Sequence, residues 1–179
     1  MKANGAWTAD EAKYHQHSNY FANLLFNYLD TSIPIIDFGC GTGFYVKNLK
    51  EFGYTAYGFD GFEANENVKE IDLTKPFNVG CFGDVISLEV GEHIPKEFQE
   101  IYTETVTKHV AKGCYLFFSW AEIGQPGIGH VNCRDQKEVI ADIESRGFGY
   151  LQEETEHIRK GFEDNVDWFR RTFLLFVKL

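Results

Sequence analysis

The sequence predicts an α/β fold, an open, doubly wound and mostly parallel sheet with helices on both faces. Three observations predict it. Short apolar segments alternate with helix-periodic ones along most of the chain. The first apolar segment runs straight into a glycine-rich turn, Asp37-Phe38-Gly39-Cys40-Gly41-Thr42-Gly43, that opens a helix. The chemistry-bearing residues fall where apolar segments end, and sheets of this kind bind ligands at the carboxyl ends of their strands.

Each element follows from local signals. Thr8-Ala9-Asp10-Glu11 fits a capping box, and Tyr14, Phe21, Leu25 and Tyr28 then recur at helical spacing. An N-terminal cap helix is therefore expected over about 9–29, with Pro34 punctuating its end. Ile33 to Phe38 reads as the first strand. Phe44 to Phe52 reads as a helix closed by Gly53. Thr55 to Phe59 is the second strand, ending at Asp60; 63–69 reads as a short helix or loop, and Ile71 to Leu73 as a brief third strand. Asp84 to Val90 is the fourth strand, followed by a helix carrying Phe98, Ile101, Tyr102, Thr105 and Val106. Gly113 to Trp120 is a strongly apolar fifth strand, 121–134 a glycine-rich loop, and 135–146 a helix stopping at Gly147. Phe148 to Leu151 and Thr172 to Leu179 are the final strands, with room for a helix across 156–170.

The 179 residues suit a single domain, 1–179, with one core. A chain of this size buries roughly 70% of its unfolded surface, so neither disulfides nor structural metal are required. Net charge is −10, from 17 basic and 27 acidic residues, which repels phosphate backbones and anionic lipid and makes nucleic acid an unfavoured partner. Cys40, Cys81, Cys114 and Cys133 form no C-x-x-C pair, and Met1 to Asp10 is polar, so free thiols in a reducing cytoplasm are expected. No apolar run is long enough to span a membrane.

Two ligand classes compete for the glycine turn. Dinucleotide sites use G-x-G-x-x-G and set a pyrophosphate on the helix amides. Here the spacing is G-x-G-x-G, and Asp37 stands two residues before the first glycine. A carboxylate disfavours a pyrophosphate but attracts the ammonium and sulfonium of S-adenosylmethionine, whose own carboxylate suits the helix amides. Asp60, 23 residues after Asp37, is positioned to accept ribose hydroxyls. Asp72-Leu73 offers a carboxylate for an adenine amino group and an apolar side chain for the ring.

With these residues in view, the chain from about 30 to 179 resembles the class I S-adenosylmethionine-dependent methyltransferases. IIDFGCGTG is similar to their first motif, YGFD to their second-strand acid and DVISLEV to their fourth-strand motif. The resemblance implies a seven-stranded sheet with an antiparallel last strand, which Thr172 to Leu179 matches. It implies donor roles for Asp37, Gly39, Gly41, Asp60 and Asp72. The full expected donor set is Asp37, Gly39, Cys40, Gly41, Gly43, Asp60, Gly61, Asp72, Leu73 and Glu89.

The acceptor side lies after the fourth strand, in Ser87-Leu88-Glu89-Val90-Gly91-Glu92-His93. Three readings stay open. Glu92 and His93 begin a helix with Pro95 in its first turn. Alternatively His93 or His130 accepts the proton that a hydroxyl or ammonium must lose, with Glu89 and Trp120 near the transfer point. Thirdly, Glu89, Glu92, His93 and His130 resemble the E-x-x-E-H plus His set with which small-RNA 2′-O-methyltransferases hold a divalent ion. Mg²⁺ or Mn²⁺ suits such mixed ligation imperfectly, because imidazole prefers later metals. The loop Gly124 to Asn132 is expected to act as a lid carrying His130 and Asn132. Further cover is expected from His15, His17 and Tyr20 and from Phe162 to Phe169 with Trp168.

The functional expectation is methyl transfer from S-adenosylmethionine to an oxygen or nitrogen of a small-molecule acceptor, by His130, His93 and Glu89. The rivals are metal-assisted hydroxyl methylation, a nicotinamide-dependent oxidoreductase and a non-catalytic cofactor-binding subunit. Composition sets no oligomeric state.

Overall fold

The computed structural model describes residues 2–8, 10–80 and 83–179. Seven strands form one sheet: β1 (Ile35–Phe38), β2 (Ala56–Asp60), β3 (Val68–Glu70), β4 (Asp84–Ser87), β5 (Tyr115–Ser119), β6 (Phe148–Tyr150) and β7 (Phe173–Lys178). Their order is β3-β2-β1-β4-β5-β7-β6. The first five run parallel, whereas β7 is antiparallel to both β5 and β6.

Period-two alternation makes both faces apolar. Ile36, Val85, Leu116, Phe118, Leu174 and Phe176 point into one core. Against them pack α3 (Gln99–Lys108), through Tyr102 and Val106, and α4 (Gln136–Ser145), through Val139 and Ile143. Ile35, Ile86, Phe117, Phe173 and Leu175 point into the other core. There α1 (Asn19–Leu25), α2 (Phe44–Glu51), α5 (Gln152–Arg159) and α6 (Phe169–Thr172) cover the sheet with Phe21, Val46, Leu49, Ile158 and Phe169. Strands buried on both sides are what a parallel sheet requires.

The chain leaves β1 toward the α2 face and β4 toward the α3 face, so their carboxyl ends part and leave a crevice. Ser87 fastens the base of that crevice. Its Oγ donates to Phe38 O at 2.8 Å and stands 2.8 Å from Tyr102 Oη.

Three expectations need correction. The cap helix over 9–29 does not form as one piece; Ala9 lies outside the described residues, as do Cys81 and Phe82. The capping contact is present, with Thr8 N and Oγ1 both donating to Glu11 Oε2 at 2.8 and 2.9 Å. It leads only to a single 3-10 turn, Ala12–Tyr14, after which the chain extends through His15–His17 and restarts at α1, capped by Ser18. Tertiary contact explains the break, because His15 is drawn onto the glycine turn. The third strand lies at Val68–Glu70, not Ile71–Leu73: hydrogen-bonded register to Gly58–Asp60 selects the earlier residues. The fourth strand stops at Ser87, because Glu89 takes φ 54°, a left-handed conformation that ends a ladder.

No helix among the described residues is long and apolar enough to cross a membrane.

Candidate active site

The crevice holds a cavity of about 380 Å³ that runs from the glycine turn to the loop after β5. Its first end is made by β1 and β2. Asp37 is 3% exposed, and its Oδ2 is buried without a hydrogen-bond partner. Burial raises its carboxyl well above the usual range, and Asp60 nearby raises it further. Asp60, at the tip of β2, accepts from Gly41 N at 2.8 Å. Burial lifts Asp60 to about 6, against the amides of Gly41, Gly61 and Phe62 that pull it down.

The glycines are needed where neighbours press on them. Gly39 and Gly41 take φ of 77° and 57°; a Cβ on Gly39 would strike Val90, and one on Gly41 the His15 ring. Gly39 and Cys40 donate to Phe59 O at 2.7 and 3.1 Å, tying the turn to β2. Gly43, φ 75°, leads into α2, and Gly61 leaves no room beside Ala6. Leu73, Cys40 and Gly61 line the cavity together with Asp37, Gly39 and Asp60. Gly41, Gly43 and Asp72 are not part of the wall. Asp72 sits behind it, where Oδ1 accepts from Thr74 N and Oγ1 at 3.0 and 2.6 Å. Burial alone would raise that carboxyl, but Thr74, Asn4 and Lys75 hold it at about 2.

The second end is built on the two loops after β4 and β5. Glu89 N donates to Ser119 Oγ at 2.7 Å, which holds the left-handed turn. Its Oε1 accepts from Ser119 Oγ and Thr172 Oγ1 at 2.9 and 3.1 Å, and Oε2 from Gln125 Nε2 at 2.9 Å. Burial raises Glu89, and these three bonds partly offset that.

Glu92 follows in a 3-10 turn, Gly91–His93, and is fully buried. Its Oε2 accepts a long bond from Ala121 N at 3.4 Å, while Oε1 has no hydrogen-bond partner. Burial first, and Glu89 second, raise its carboxyl well above the usual range. His93 Nε2 and His130 Nε2 stand 3.8 and 3.9 Å from Oε1. Nδ1 of His93 faces Gly129 O at 3.2 Å, and Nδ1 of His130 faces Gln125 O at 3.1 Å. A carbonyl only accepts, so the proton sits on each Nδ1 and the Nε2 lone pairs are free. Burial pushes His93 down to about 4 and lowers His130 as well. Both shifts favour the neutral imidazole.

The structure thus brings Glu89, Glu92, His93 and His130 to one wall of the cavity. It does not bring Trp120 or Asn132 there. Trp120 is fully buried under Gly91, where a Cβ would meet its ring at 2.5 Å, and its Nε1 donates to Asn132 O at 2.5 Å. Asn132 N donates to Glu92 O at 3.0 Å, so it braces the loop.

The cover differs in part from the expected one. Trp7, absent from the expected set, lies edge-on to His15 and His93, at centroid distances of 4.8 and 5.5 Å. Nothing in the polar sequence around Trp7 signals that position. His15 and His17 both line the cavity; His15 is half-buried against Gly41, which lowers its pKa, and His17 is exposed and stacks on Phe44 at 3.7 Å. Trp168 lines the cavity, while Phe162 is core. Gln125, likewise unforeseen, links the loop to Glu89.

Comparisons with known proteins agree with this architecture. The family described as a methyltransferase domain matches residues 7–163. No curated protein sequence matches the chain. The sugar N-methyltransferase KedS8 from Streptoalloteichus superposes with TM-score 0.68 at 12% identity, over 97% of this chain and 93% of that one. Magnesium protoporphyrin IX methyltransferase from Synechocystis, with bound S-adenosylhomocysteine, gives 0.58 at 17% identity, over 96% and 83%. The cyclase SpnF gives 0.61 at 12% identity, over 99% and 84%. At such identities the likeness speaks for the fold alone.

Proposed function

The chain belongs to the methyltransferase-domain family, and from that premise we propose that it methylates an oxygen or nitrogen of a small-molecule acceptor seated beside His93 and His130. Its methyl donor is S-adenosylmethionine. The residues present fit that donor: Asp37 Oδ2 is an orphaned buried acceptor in a cavity wall shared with Gly39, Asp60 and Leu73. When bound, the donor supplies a methyl group activated by a positive sulfonium. Asp37 would counter its positive charge, Asp60 would accept from its ribose hydroxyls, Gly39 would let it approach the backbone, and Leu73 would cover its base.

One observation carries the reading. A single cavity joins the end lined by Asp37 and Asp60 to the imidazoles of His93 and His130. Its volume falls within the ordinary range for small-molecule sites. The net charge of −10 favours such an acceptor over a polynucleotide. In this reading, the chain works mostly by holding nucleophile and methyl group in line, and an imidazole Nε2 takes the acceptor's proton. Glu89 is a positioning residue, since all its hydrogen bonds go to Ser119, Thr172 and Gln125.

The test is incubation with S-adenosylmethionine and a panel of hydroxylated and amine metabolites. S-adenosylhomocysteine release that requires an acceptor, with one methyl added to that acceptor, is the expected result. Calorimetry showing no donor binding would sink the reading. Asp60→Ala should weaken donor binding by about 2 kcal/mol, roughly 30-fold, through loss of a charged acceptor. Unchanged affinity would remove Asp60 from the donor site. A cation favours the ionised carboxylates, so binding releases protons from groups whose pKa is raised. Donor affinity should therefore fall as pH drops through Asp60's value of about 6, by about tenfold per pH unit for each group titrated. An affinity independent of pH between 7 and 5 contradicts that role.

A further inference from the structure

Glu92 Oε1 is buried, unpaired and aimed at two lone pairs. A neutral imidazole pair acting as a base does not need it there. Among the described residues, Glu92, His93 and His130 are the group whose ligand atoms all converge, within 4.8 Å of one another. From this convergence we propose that Glu92 Oε1, His93 Nε2 and His130 Nε2 hold one divalent first-row transition ion, with its remaining positions open to the acceptor end of the cavity.

The donor chemistry selects the class of ion. Two imidazoles and one carboxylate suit Zn²⁺, Co²⁺ or Fe²⁺; Mg²⁺, Ca²⁺ and Mn²⁺ prefer oxygen-rich sets. Ligand atoms about 2.1 Å from a shared ion stand about 3.0–3.5 Å apart when adjacent, so atoms now within 4.8 Å of one another must close by under about 2 Å to complete the site. The second layer is already in place. Gly129 O and Gln125 O fix each ring by its Nδ1, the arrangement that aims imidazoles at metals. Gly127 makes it feasible, since a Cβ there would strike the His130 ring. Glu89 is not a ligand, because both its oxygens are engaged by neutral donors. The four-residue set expected from sequence thus contracts to three.

This inference rests on the acceptor occupying the same end of the cavity. An acceptor hydroxyl bound at an open position loses its O–H proton to water more readily, and its oxygen then forms the new bond to the methyl carbon as the carbon–sulfur bond breaks. With both Nε2 atoms bound to it, such an ion would take over the acceptor activation that the metal-free reading gives to an imidazole.

The test uses the full chain, stripped with chelator and titrated with Co²⁺. One equivalent per chain should bind and give visible d–d absorption, displaced by Zn²⁺ and unaffected by excess Mg²⁺. Glu92→Gln and His93→Ala should each weaken Co²⁺ binding at least 10-fold, with donor binding retained as evidence of a folded protein. Absent absorption in the wild-type chain, or binding that both variants keep, overturns the ion. Methyl transfer measured on the same samples separates the two claims. Full activity in stripped protein overturns the ion and keeps the methyltransferase reading; Co²⁺ bound as described, with no acceptor methylated, keeps the ion and overturns that reading.

Discussion

His130→Ala should lower turnover by about 10²- to 10⁴-fold while leaving S-adenosylmethionine affinity unchanged. The asymmetry follows from position. His130 stands on the loop after β5, at the proposed acceptor end, whereas Asp37 and Asp60, the proposed donor-binding acids, are on β1 and β2. His93→Ala should behave alike, and the double variant should lose far less than the product of the two, because the rings act as a unit. Gly127→Ala supplies an independent check, since its Cβ would meet the His130 ring without touching the donor end. Steady-state kinetics beside donor calorimetry reads both quantities. If His130→Ala keeps wild-type turnover, His130 has no part in the chemistry, whether as base or ligand.

The second expectation concerns stability and has the opposite sign from most core substitutions. Glu92→Gln should stabilise the ligand-free chain at pH 8 by about 1–3 kcal/mol while removing activity. Burial holds the Glu92 carboxyl above its ordinary range, so ionisation is disfavoured in the folded state. The same physics fixes the pH dependence of the unsubstituted protein. For an acid whose folded pKa is raised, stability is present at low pH and is lost as pH rises toward that folded value. Asp37 and Glu92 both stand well above the usual range, so the ligand-free chain should gain stability as pH falls from the alkaline side toward neutrality. Below about 6.5 the gain should flatten. His15, His93, His109 and His130 have lowered folded pKa values and cost stability as the unfolded imidazoles become protonated. Chemical denaturation at several pH values reads the slope, which Glu92→Gln should reduce. A slope that Glu92→Gln leaves intact would mean that Glu92 ionises freely in the fold.

Much of the sheet was legible because its signals are local. Ile35 and Ile36, or Leu116, Phe117 and Phe118, alternate between two cores, and an apolar run of that length has few alternatives once glycine follows it. Half of the capping box at Thr8 forms, with Glu11 accepting from Thr8 N, yet the Thr8 hydroxyl caps no amide and the periodic residues beyond it form no continuous helix. Contact between His15 and Gly41 outweighs propensity there. The third strand was misplaced for a related reason. Both Val68–Glu70 and Ile71–Leu73 contain apolar residues, and pairing with β2 selects the first.

At the site, Asp37, the glycines and Asp60 could be found from their spacing after two strands, since a turn and the strand before it are contiguous in the chain. Trp120 was assigned to the transfer point because it ends a strand, but only packing reveals that it lies beneath Gly91, out of the cavity. The local order of residues therefore determines the mostly parallel sheet and the donor-side turn, both of which depend on neighbours a few positions apart. The E-x-x-E-H spacing already marks Glu92 and His93, but folding alone decides that His130 joins them within 4.8 Å and that Glu89 is engaged elsewhere. That approach depends on two loops leaving separate strands and on carbonyls that orient both rings.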